Sequence, residues 1–197
     1  MPKQLKYELN NSKKIYTTTD LRAMGYSRYA VDQMVATGML VKITGSVYEN
    51  IMYDGEELDF FYVLPIIPEG VVCMLSAAVY YNLSTYWPHD IDVAVKKGKR
   101  IATLPQYPSM NIYHFGGDRY EIGIETVNID GNIYKIYDVE KTVADIIYFR
   151  NQVGIEETKE ILTKYLQRRD RNLIKLHEYA QKLQCEKTLR TYLEVLI

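Results

Sequence analysis

The stretch "TTTDLRAMGYSRYAVDQMVATGMLVKITGSVY", residues 17–48, decides the fold of the first part of the chain. It predicts two short helices, the first ending at Gly25 and the second running from an N-cap at Ser27 to Gly38. A serine hydroxyl accepts hydrogen bonds from the free amides of a helix start, and glycine tolerates the left-handed backbone that closes a helix. For the first helix we expect Thr19 to be the N-cap. Two helices joined by a turn that holds glycine are typical of a helix-turn-helix.

Two short β-prone runs, "LVKI" and "SVY", follow the second helix and meet at residues 44–46. Apolar runs separated by a Thr-Gly-Ser turn predict a β-hairpin. Val31 and Met34 form the expected buried stripe of the second helix, and an earlier helix is predicted over residues 2–11. Together these elements predict an N-terminal winged helix-turn-helix DNA-binding domain, residues 1–50, with the hairpin as its wing.

Charge is distributed unevenly along the sequence. The 197-residue chain has a formal net charge of −1. Residues 1–48 hold seven basic and three acidic side chains, a balance of +4, which leaves −5 for the remainder. Residues 49–75 hold six acidic and no basic side chains. The positive first part favours contact with nucleic acid, although the whole chain is slightly acidic.

An acidic linker, "ENIMYDGEELD", leads to a second predicted domain, residues 56–197. "LDFFYVLP" and "VVCMLSAAVYYNL" predict two buried helices, the first with a strand as its alternative. Strands are predicted in "IDVAV", "NIYHF", "YEIGIETVNI" and "NIYKIY", with Asp130 and Gly131 in a hairpin turn. Asp138 is the expected N-cap of a helix that ends at Gly154, and three more helices follow. This domain is predicted to be α+β, with a small antiparallel sheet and a helical C-terminal half.

The segment "DVEKTVAD" carries enough polar side chains to suggest an active site. Stabilisation of a helix start is the simpler interpretation, because Asp138 suits an N-cap and the negative charge of Glu140 is favourable near the positive end of the helix dipole. The three histidines are far apart, and the HExxH, paired CxxC, GxSxG and glycine-rich phosphate-loop motifs are absent. We therefore expect no catalytic residues, no metal and no cofactor.

The apolar runs and the cysteines of the sequence indicate the expected cellular localisation. The longest apolar run, "FFYVLPIIPEGVVCMLSAAVYY", is interrupted by Pro65, Pro68 and Gly70, which argues against a membrane span or a membrane partner. The N-terminal residues lack the apolar stretch of a signal peptide. Cys73 and Cys185 lie far apart and are expected to be reduced thiols. A cytoplasmic localisation is the expectation.

The helical phase of the second helix predicts how DNA would be contacted. Arg28 and Gln33 would read guanine and adenine edges in the major groove. Asp32 on the same face either accepts from a cytosine amino group or lies at the rim. Phosphate contacts from threonine and tyrosine side chains and from the wing would set the register. The expected DNA-binding residues are Thr17, Thr18, Arg22, Ser27, Arg28, Tyr29, Gln33, Lys42, Thr44 and Ser46.

Two further basic clusters, "KKGKR" and "RRDR", lie in the second domain. The first follows the strand "IDVAV" and is either a solvated hairpin tip or an extra phosphate or partner contact. The second joins two helices and carries the same ambiguity. The residues concerned are Lys96, Lys97, Lys99, Arg100, Arg168, Arg169 and Arg171.

From about Lys14 to Leu196 the sequence resembles the AbiEi family, antitoxins of bacterial type IV toxin–antitoxin (abortive infection) systems. The resemblance rests on residues 17–48, on "LSAAVYYNLS", "IDVAVKKGKR" and "YDVEKTVADII", and on "LIKLHEYAQKLQ" near the end. One departure is Tyr81–Asn82–Leu83 where the family pattern has His-Gly-Leu, so no role of that histidine is carried over. Asparagine can adopt the left-handed turn in place of glycine.

That resemblance implies a repressor that binds inverted-repeat operator DNA upstream of its own operon. It also implies a C-terminal domain that opposes a nucleotidyltransferase toxin, without requiring a stable complex. Two alternatives stay open from the residues. One is a protein-interaction module that never touches DNA, and the other is an enzyme acting on nucleotides or on the toxin, for which Asp145 would be needed.

Overall fold

The computed structural model describes residues 9–101 and 103–196, with side chains described as far as residue 194. The helix predicted over residues 2–11 lies outside the described residues, except for its last three positions, which are not helical. The described residues form ten α-helices, one short 3₁₀ helix and two sheets of three and five strands. The α+β class is confirmed.

The first part of the chain builds the three-stranded sheet and two helices. Its elements are β1 (Ile15–Thr17), α1 (Thr18–Ala23), α2 (Arg28–Ala36), β2 (Leu40–Lys42) and β3 (Val47–Asn50). The strands are antiparallel in the order β1-β3-β2, with Thr17 opposite Val47 and Lys42 opposite Tyr48. The predicted hairpin between β2 and β3 is confirmed.

Side-chain alternation along these strands gives the small sheet two buried faces. On one face Tyr16 and Tyr48 pack with Leu21 of α1 and Met34 of α2. On the other face Ile15 and Val47 belong to a second apolar cluster that contains Phe61 and Tyr62. The sheet therefore lies between the two short helices and the rest of the protein.

A buried lysine fastens the start of β1 to the larger sheet. The amide of Lys14 donates to Asn132 Oδ1 at 2.7 Å, and Asn132 Nδ2 donates to the carbonyl of Ser12 at 2.8 Å. The Lys14 ammonium pairs with Glu57 and lies 3.9 Å from Glu49. These contacts fix the orientation of β1 because a buried cation needs its partners.

The second part of the chain begins with the 3₁₀ helix and continues through five strands and eight helices. The elements up to the last strand are the 3₁₀ helix Asp59–Tyr62, α3 (Val63–Ile66), β4 (Val71–Val72), α4 (Met74–Tyr80), β5 (Ile91–Lys96), β6 (Met110–Phe115), α5 (Asp118–Glu121), β7 (Ile124–Ile129) and β8 (Asn132–Tyr137). The C-terminal helices are α6 (Val139–Tyr148), α7 (Arg150–Val153), α8 (Ile155–Gln167), α9 (Leu173–Lys182) and α10 (Glu186–Leu196).

The prediction of an antiparallel sheet in the second part was wrong. The strand order is β6-β5-β4-β8-β7, and the β5–β6 and β4–β8 pairs are parallel. The cause is a long connection over residues 97–109, which carries the chain back so that β6 runs in the same direction as β5. Only the β7–β8 hairpin, with Asp130 and Gly131 at positive φ, has the expected local pairing.

Three predicted elements have different bounds. The helix expected in "VVCMLSAAVYYNL" begins only at Met74, because the two valines pair as a strand. The strand expected from Tyr120 begins at Ile124, after the helical turn of α5. The helix that Asp138 caps is interrupted at Phe149 before it reaches Gly154.

Candidate nucleic-acid interface

A groove of about 280 Å³ lies between the two short helices and the β2–β3 hairpin. It brings together residues from α1, from both ends of the α1–α2 turn, from α2 and from the hairpin. Four of the side chains predicted to contact DNA share it. The lining residues are Thr18, Arg22, Tyr26, Arg28, Val31, Asp32, Lys42, Gly45 and Tyr48.

Helix α2 presents Arg28 to this groove. The predicted N-cap is confirmed, because Ser27 Oγ accepts from the amide of Ala30 at 3.2 Å. Burial of Val31 and Met34 fixes the rotation of the helix on the sheet. In that phase Arg28 lines the groove, whereas Tyr29, which is 68% exposed, lies outside it with the half-buried Gln33.

The start of α1 differs from the prediction. Its N-cap is Thr17 rather than Thr19, because Thr17 ends β1 in an extended conformation and Asp20 lies three residues further on. Thr17 Oγ1 accepts from the Asp20 amide at 3.1 Å and donates to its carboxylate at 2.9 Å, while the Thr17 amide donates to that carboxylate at 2.8 Å. This is a capping box, so the Thr17 hydroxyl is engaged within the protein.

The hairpin tip is held against the start of α1. The Thr18 amide donates to the carbonyl of Ser46 at 2.8 Å, and Thr18 Oγ1 donates to the same carbonyl at 3.3 Å. Within the turn, Thr44 Oγ1 accepts from the amide of Ser46 at 3.3 Å. Gly45 lines the groove and has no atom within 4 Å of the place a Cβ would occupy. Gly45 and Tyr26 also line the groove but were not among the residues predicted to contact DNA, although both lie in predicted turns.

The groove is positively charged. Arg22, Arg28 and Lys42 face one carboxylate, that of Asp32. Among residues 9–101 and 103–196, none of these four side chains forms an ion pair or a side-chain hydrogen bond. Unpaired cations in a concave surface attract anions.

Other cations of the first part are used inside the protein. Lys13 lies 3.4 Å from the Asp20 carboxylate, and Lys14 is buried against Glu57. Partial burial acts to raise the pKa of Asp20, but hydrogen bonds from Thr17 and the charge of Lys13 lower it below its ordinary value. Among residues 9–50, the unpaired positive charge is therefore concentrated at the groove.

The basic cluster at residues 96–100 is not a hairpin tip, since β5 and β6 are parallel. Lys96 pairs with Glu121 at 2.7 Å, and Lys99 pairs with Glu69 at 2.7 Å. These hydrogen-bonded ion pairs raise the pKa of Lys96 and lower the pKa of Glu69. Lys97 and Arg100 are exposed and have no side-chain partner in the described part of the chain.

The second cluster closes the end of α8. Arg168 donates to the carbonyl of Tyr81 at 2.8 Å and forms two bonds with the Asp170 carboxylate, at 3.0 and 2.8 Å. Arg171 donates to the carbonyl of Arg168 at 2.7 Å. Arg169 is exposed. Two of these three arginines thus have structural contacts, which sequence proximity alone did not reveal.

The polar segment of α6 forms a buried charge cluster. The Asp145 carboxylate, 1% exposed, pairs with Lys141 and lies 2.5 Å from the Arg119 guanidinium. Arg119 also donates to the carbonyl of Leu183 at 2.8 Å and stacks 3.7 Å from the centre of the Tyr148 ring. Because both carboxylate oxygens of Asp145 are occupied, the described conformation offers a substrate no access to this carboxylate.

The expected N-cap of α6 is confirmed: Asp138 Oδ1 accepts from the Lys141 amide at 2.8 Å. Its other oxygen accepts from Tyr179 at 3.0 Å and lies 3.1 Å from Lys175. Glu140 Oε1 accepts from Tyr165 at 3.1 Å. These carboxylates are held by protein groups, which is typical of a structural role.

Metal ligands, thiols and long apolar helices do not form a site in the described residues. No cluster of three or more metal-ligating side chains occurs within residues 9–101 and 103–196. Cys73 and Cys185 are free and buried, and burial raises the pKa of Cys185 to about 11. In the described ranges, every helix is too short or too polar to cross a bilayer.

Comparison with known proteins finds a likeness among solved structures and none among family models or curated proteins. No family model and no curated protein matches the chain. Among solved structures, the chain is similar to the RV2827C protein from Mycobacterium tuberculosis, with a TM-score of 0.48 and 12% sequence identity. The match covers 92% of this chain and 76% of that one.

Proposed function

We propose that this chain is a DNA-binding transcriptional repressor whose first part is a winged helix-turn-helix. The observation that carries the proposal is the groove between α2 and the hairpin, where Arg22, Arg28 and Lys42 are unpaired within the described residues. The order of elements supports it, because two short helices are followed by a hairpin that pairs with β1. In a helix-turn-helix the second helix enters the major groove.

In this arrangement α2 is the recognition helix. Arg28 begins the helix and lines the groove, so we expect it to reach a guanine edge. Gln33 lies outside the groove, on the same side of the helix as Tyr29, and stays the proposed contact to an adenine. Ser27 and Tyr29 lie at the start of α2 and Thr18 at the start of α1, and in this proposal all three contact phosphates. Lys42, Thr44 and Ser46 bring the wing against the backbone or the adjacent minor groove.

One such module binds modestly. Two copies on an inverted repeat would supply the remaining affinity, because dimeric helix-turn-helix proteins bind half-sites about one helical turn apart. Phosphate contacts make binding depend steeply on salt, with a slope of about −0.9 per neutralised phosphate.

A reporter gene placed behind DNA from upstream of this gene tests the repressor role. Wild type is expected to reduce expression, and Arg28→Ala and Lys42→Ala are expected to restore it. Lys159→Ala is the matched control, because Lys159 lies on α8 and pairs only with Glu156, at 3.1 Å. Equal repression by wild type and by both groove variants would contradict the proposal.

The resemblance to AbiEi antitoxins supports a more specific role. The repressed operon would encode a nucleotidyltransferase toxin, and the second part of the chain would oppose that toxin. Co-expression with the neighbouring nucleotidyltransferase tests this role independently of DNA. Both wild type and Arg28→Ala are expected to rescue growth, because the groove lies outside the second part; growth arrest in both would contradict the antitoxin role.

A protein-interaction module is the second candidate function. It is favoured by one observation, an exposed aromatic loop in which Trp87 is 79% and Tyr86 is 54% exposed. Aromatic side chains of this kind are common anchors of protein interfaces. Absence of salt-dependent DNA binding, together with loss of a partner on Trp87→Ala, would favour this candidate. An enzyme is the weakest alternative, since Asp145 is enclosed by Lys141 and Arg119.

A further inference from the structure

Arg28 and Asp32 lie one helical turn apart on α2 and line the same groove, yet they do not pair. Opposite charges at positions i and i+4 of a helix are close enough to form an ion pair. Asp32 is also flanked by Arg22 and Lys42 in the groove and pairs with neither within the described ranges. A carboxylate among three cations is thus left with unused hydrogen-bonding capacity.

Several pairs with the same spacing elsewhere in the chain are closed. Glu160 and Lys164 lie 2.8 Å apart on α8, and Glu186 and Arg190 lie 3.1 Å apart on α10. Lys141 and Asp145, which share the basic-first order of Arg28 and Asp32, also pair. Helical spacing therefore allows an Arg28–Asp32 ion pair, but the described conformation does not form it.

The chemistry of a carboxylate limits what Asp32 can contact on DNA. It accepts hydrogen bonds and donates none, so phosphates and the acceptor atoms of guanine and thymine repel it. Two major-groove donors remain, the amino groups of adenine and cytosine, and the N4 group of cytosine suits a carboxylate better because the N6 group of adenine lies between the acceptors N7 and thymine O4. Arg28 has the complementary preference, since its guanidinium donates to O6 and N7 of guanine.

We propose that Asp32 is a specificity-determining residue and that Arg28 and Asp32 together select a half-site with guanine and cytosine edges at adjacent steps of the major groove. The inference rests on the proposed DNA-binding function. The described conformation has no Arg28–Asp32 ion pair, so neither side chain has to break one before it meets a base. Asp32 also weakens binding to any duplex that places no amino group at the position it faces, because its charge then lies against phosphates or acceptors.

Selection of bound duplexes from a randomised library, followed by anisotropy on single-base variants, tests this inference. Wild type is expected to enrich adjacent guanine and cytosine positions. Replacing the selected cytosine by thymine exchanges a donor for an acceptor, and we expect at least about a 5-fold loss of affinity. Asp32→Asn should remove that loss, because an amide donates as well as accepts. Asp32→Ala should bind scrambled duplexes more tightly than wild type does.

Asp54→Asn is the matched control, since it removes one exposed carboxylate from the neighbouring linker and not from the groove. It is expected to leave the cytosine-to-thymine ratio unchanged. If wild type discriminates the operator but Asp32→Asn keeps the same ratio, the inference is overturned while the DNA-binding function stands. If wild type itself shows no preference between operator and scrambled duplexes, the proposed function fails first.

Discussion

The amide of Thr18 donates to the carbonyl of Ser46 at 2.8 Å, joining the first residue of α1 to the tip of the β2–β3 hairpin. This single backbone bond connects the two walls of the charged groove. Lys42 of the hairpin lines this groove together with Arg22 and Arg28 of the helices. The shape of the groove therefore depends on a contact between segments 28 residues apart.

Replacement of Thr18 by proline should cut this bond selectively. Proline is well tolerated at the first position of a helix, and Thr17 already has the extended conformation that a following proline requires. We expect Thr18→Pro to fold, with a loss of about 0.5–1.5 kcal/mol for the bond. Hydrogen exchange at the amides of Ile43 and Thr44 should accelerate, and DNA affinity should fall. Thr18→Ala, which keeps the amide, is the control; equal exchange in both variants would contradict the role of the bond.

The capping box of α1 gives a stability prediction with a pH dependence. Thr17→Ala should cost about 1 kcal/mol of unfolding free energy, measured with urea at neutral pH. The exposed Thr19 is the control, and Thr19→Ala should change little.

Because the pKa of Asp20 is lower in the folded protein than its ordinary value, its contribution is present above that value and is lost as pH falls through the folded pKa. The difference between wild type and Asp20→Asn should therefore shrink in acid, below about pH 4. A constant difference between pH 7 and pH 3 would contradict the assignment.

The buried cluster on α6 predicts a large structural effect. Asp145→Asn leaves Lys141 buried without its carboxylate, which should cost about 3–5 kcal/mol. The double variant Lys141→Met with Asp145→Leu should lose less, since no buried charge is left unpaired. Asp170→Asn, at an exposed pair with Arg168, should cost less than about 1 kcal/mol. A fully stable Asp145→Asn protein would show that the cluster has no structural role.

Only some of the cations at residues 96–100 should add to DNA binding. Arg100 precedes Ile101, which packs against the large apolar cluster that Ile43 of the hairpin also contacts. Lys97→Ala with Arg100→Ala should flatten the dependence of log Kd on log salt by about 0.9 per phosphate contact. Lys96→Ala with Lys99→Ala is the control, because Glu121 and Glu69 already neutralise those lysines. The same change in both double variants would contradict the distinction.

Local chemistry made parts of the fold predictable from the sequence. Ser27 and Asp138 are N-caps as expected, and Gly25 and Gly38 follow helix ends at positive φ, because these features depend on a few neighbouring residues. The order of the five-stranded sheet was not predictable. It depends on β4, only two residues long, lying between β5 and β8.

Some features of the candidate site were also predictable from the sequence, and others were not. Helical phase correctly placed Arg28 on the outward face of α2, and the hairpin brought Lys42 opposite it. The N-cap of α1 was predicted at Thr19 and lies at Thr17. The run of three threonines, residues 17–19, fits the N-cap pattern at more than one position, and only the pairing of β1 with β3 distinguishes them. That Asp32 stays unpaired among cations is a tertiary property, which no spacing in the sequence encodes.

Fluorescence anisotropy on labelled DNA from upstream of the gene, at several salt concentrations, tests the central claim most directly. Wild type, Arg28→Ala and a scrambled duplex are compared. Tight, salt-dependent binding to the upstream DNA, which Arg28→Ala weakens far more than it weakens binding to the scrambled duplex, is the predicted result. Equal weak binding of wild type to both duplexes would contradict the claim, and the groove would then be no more than a charged surface.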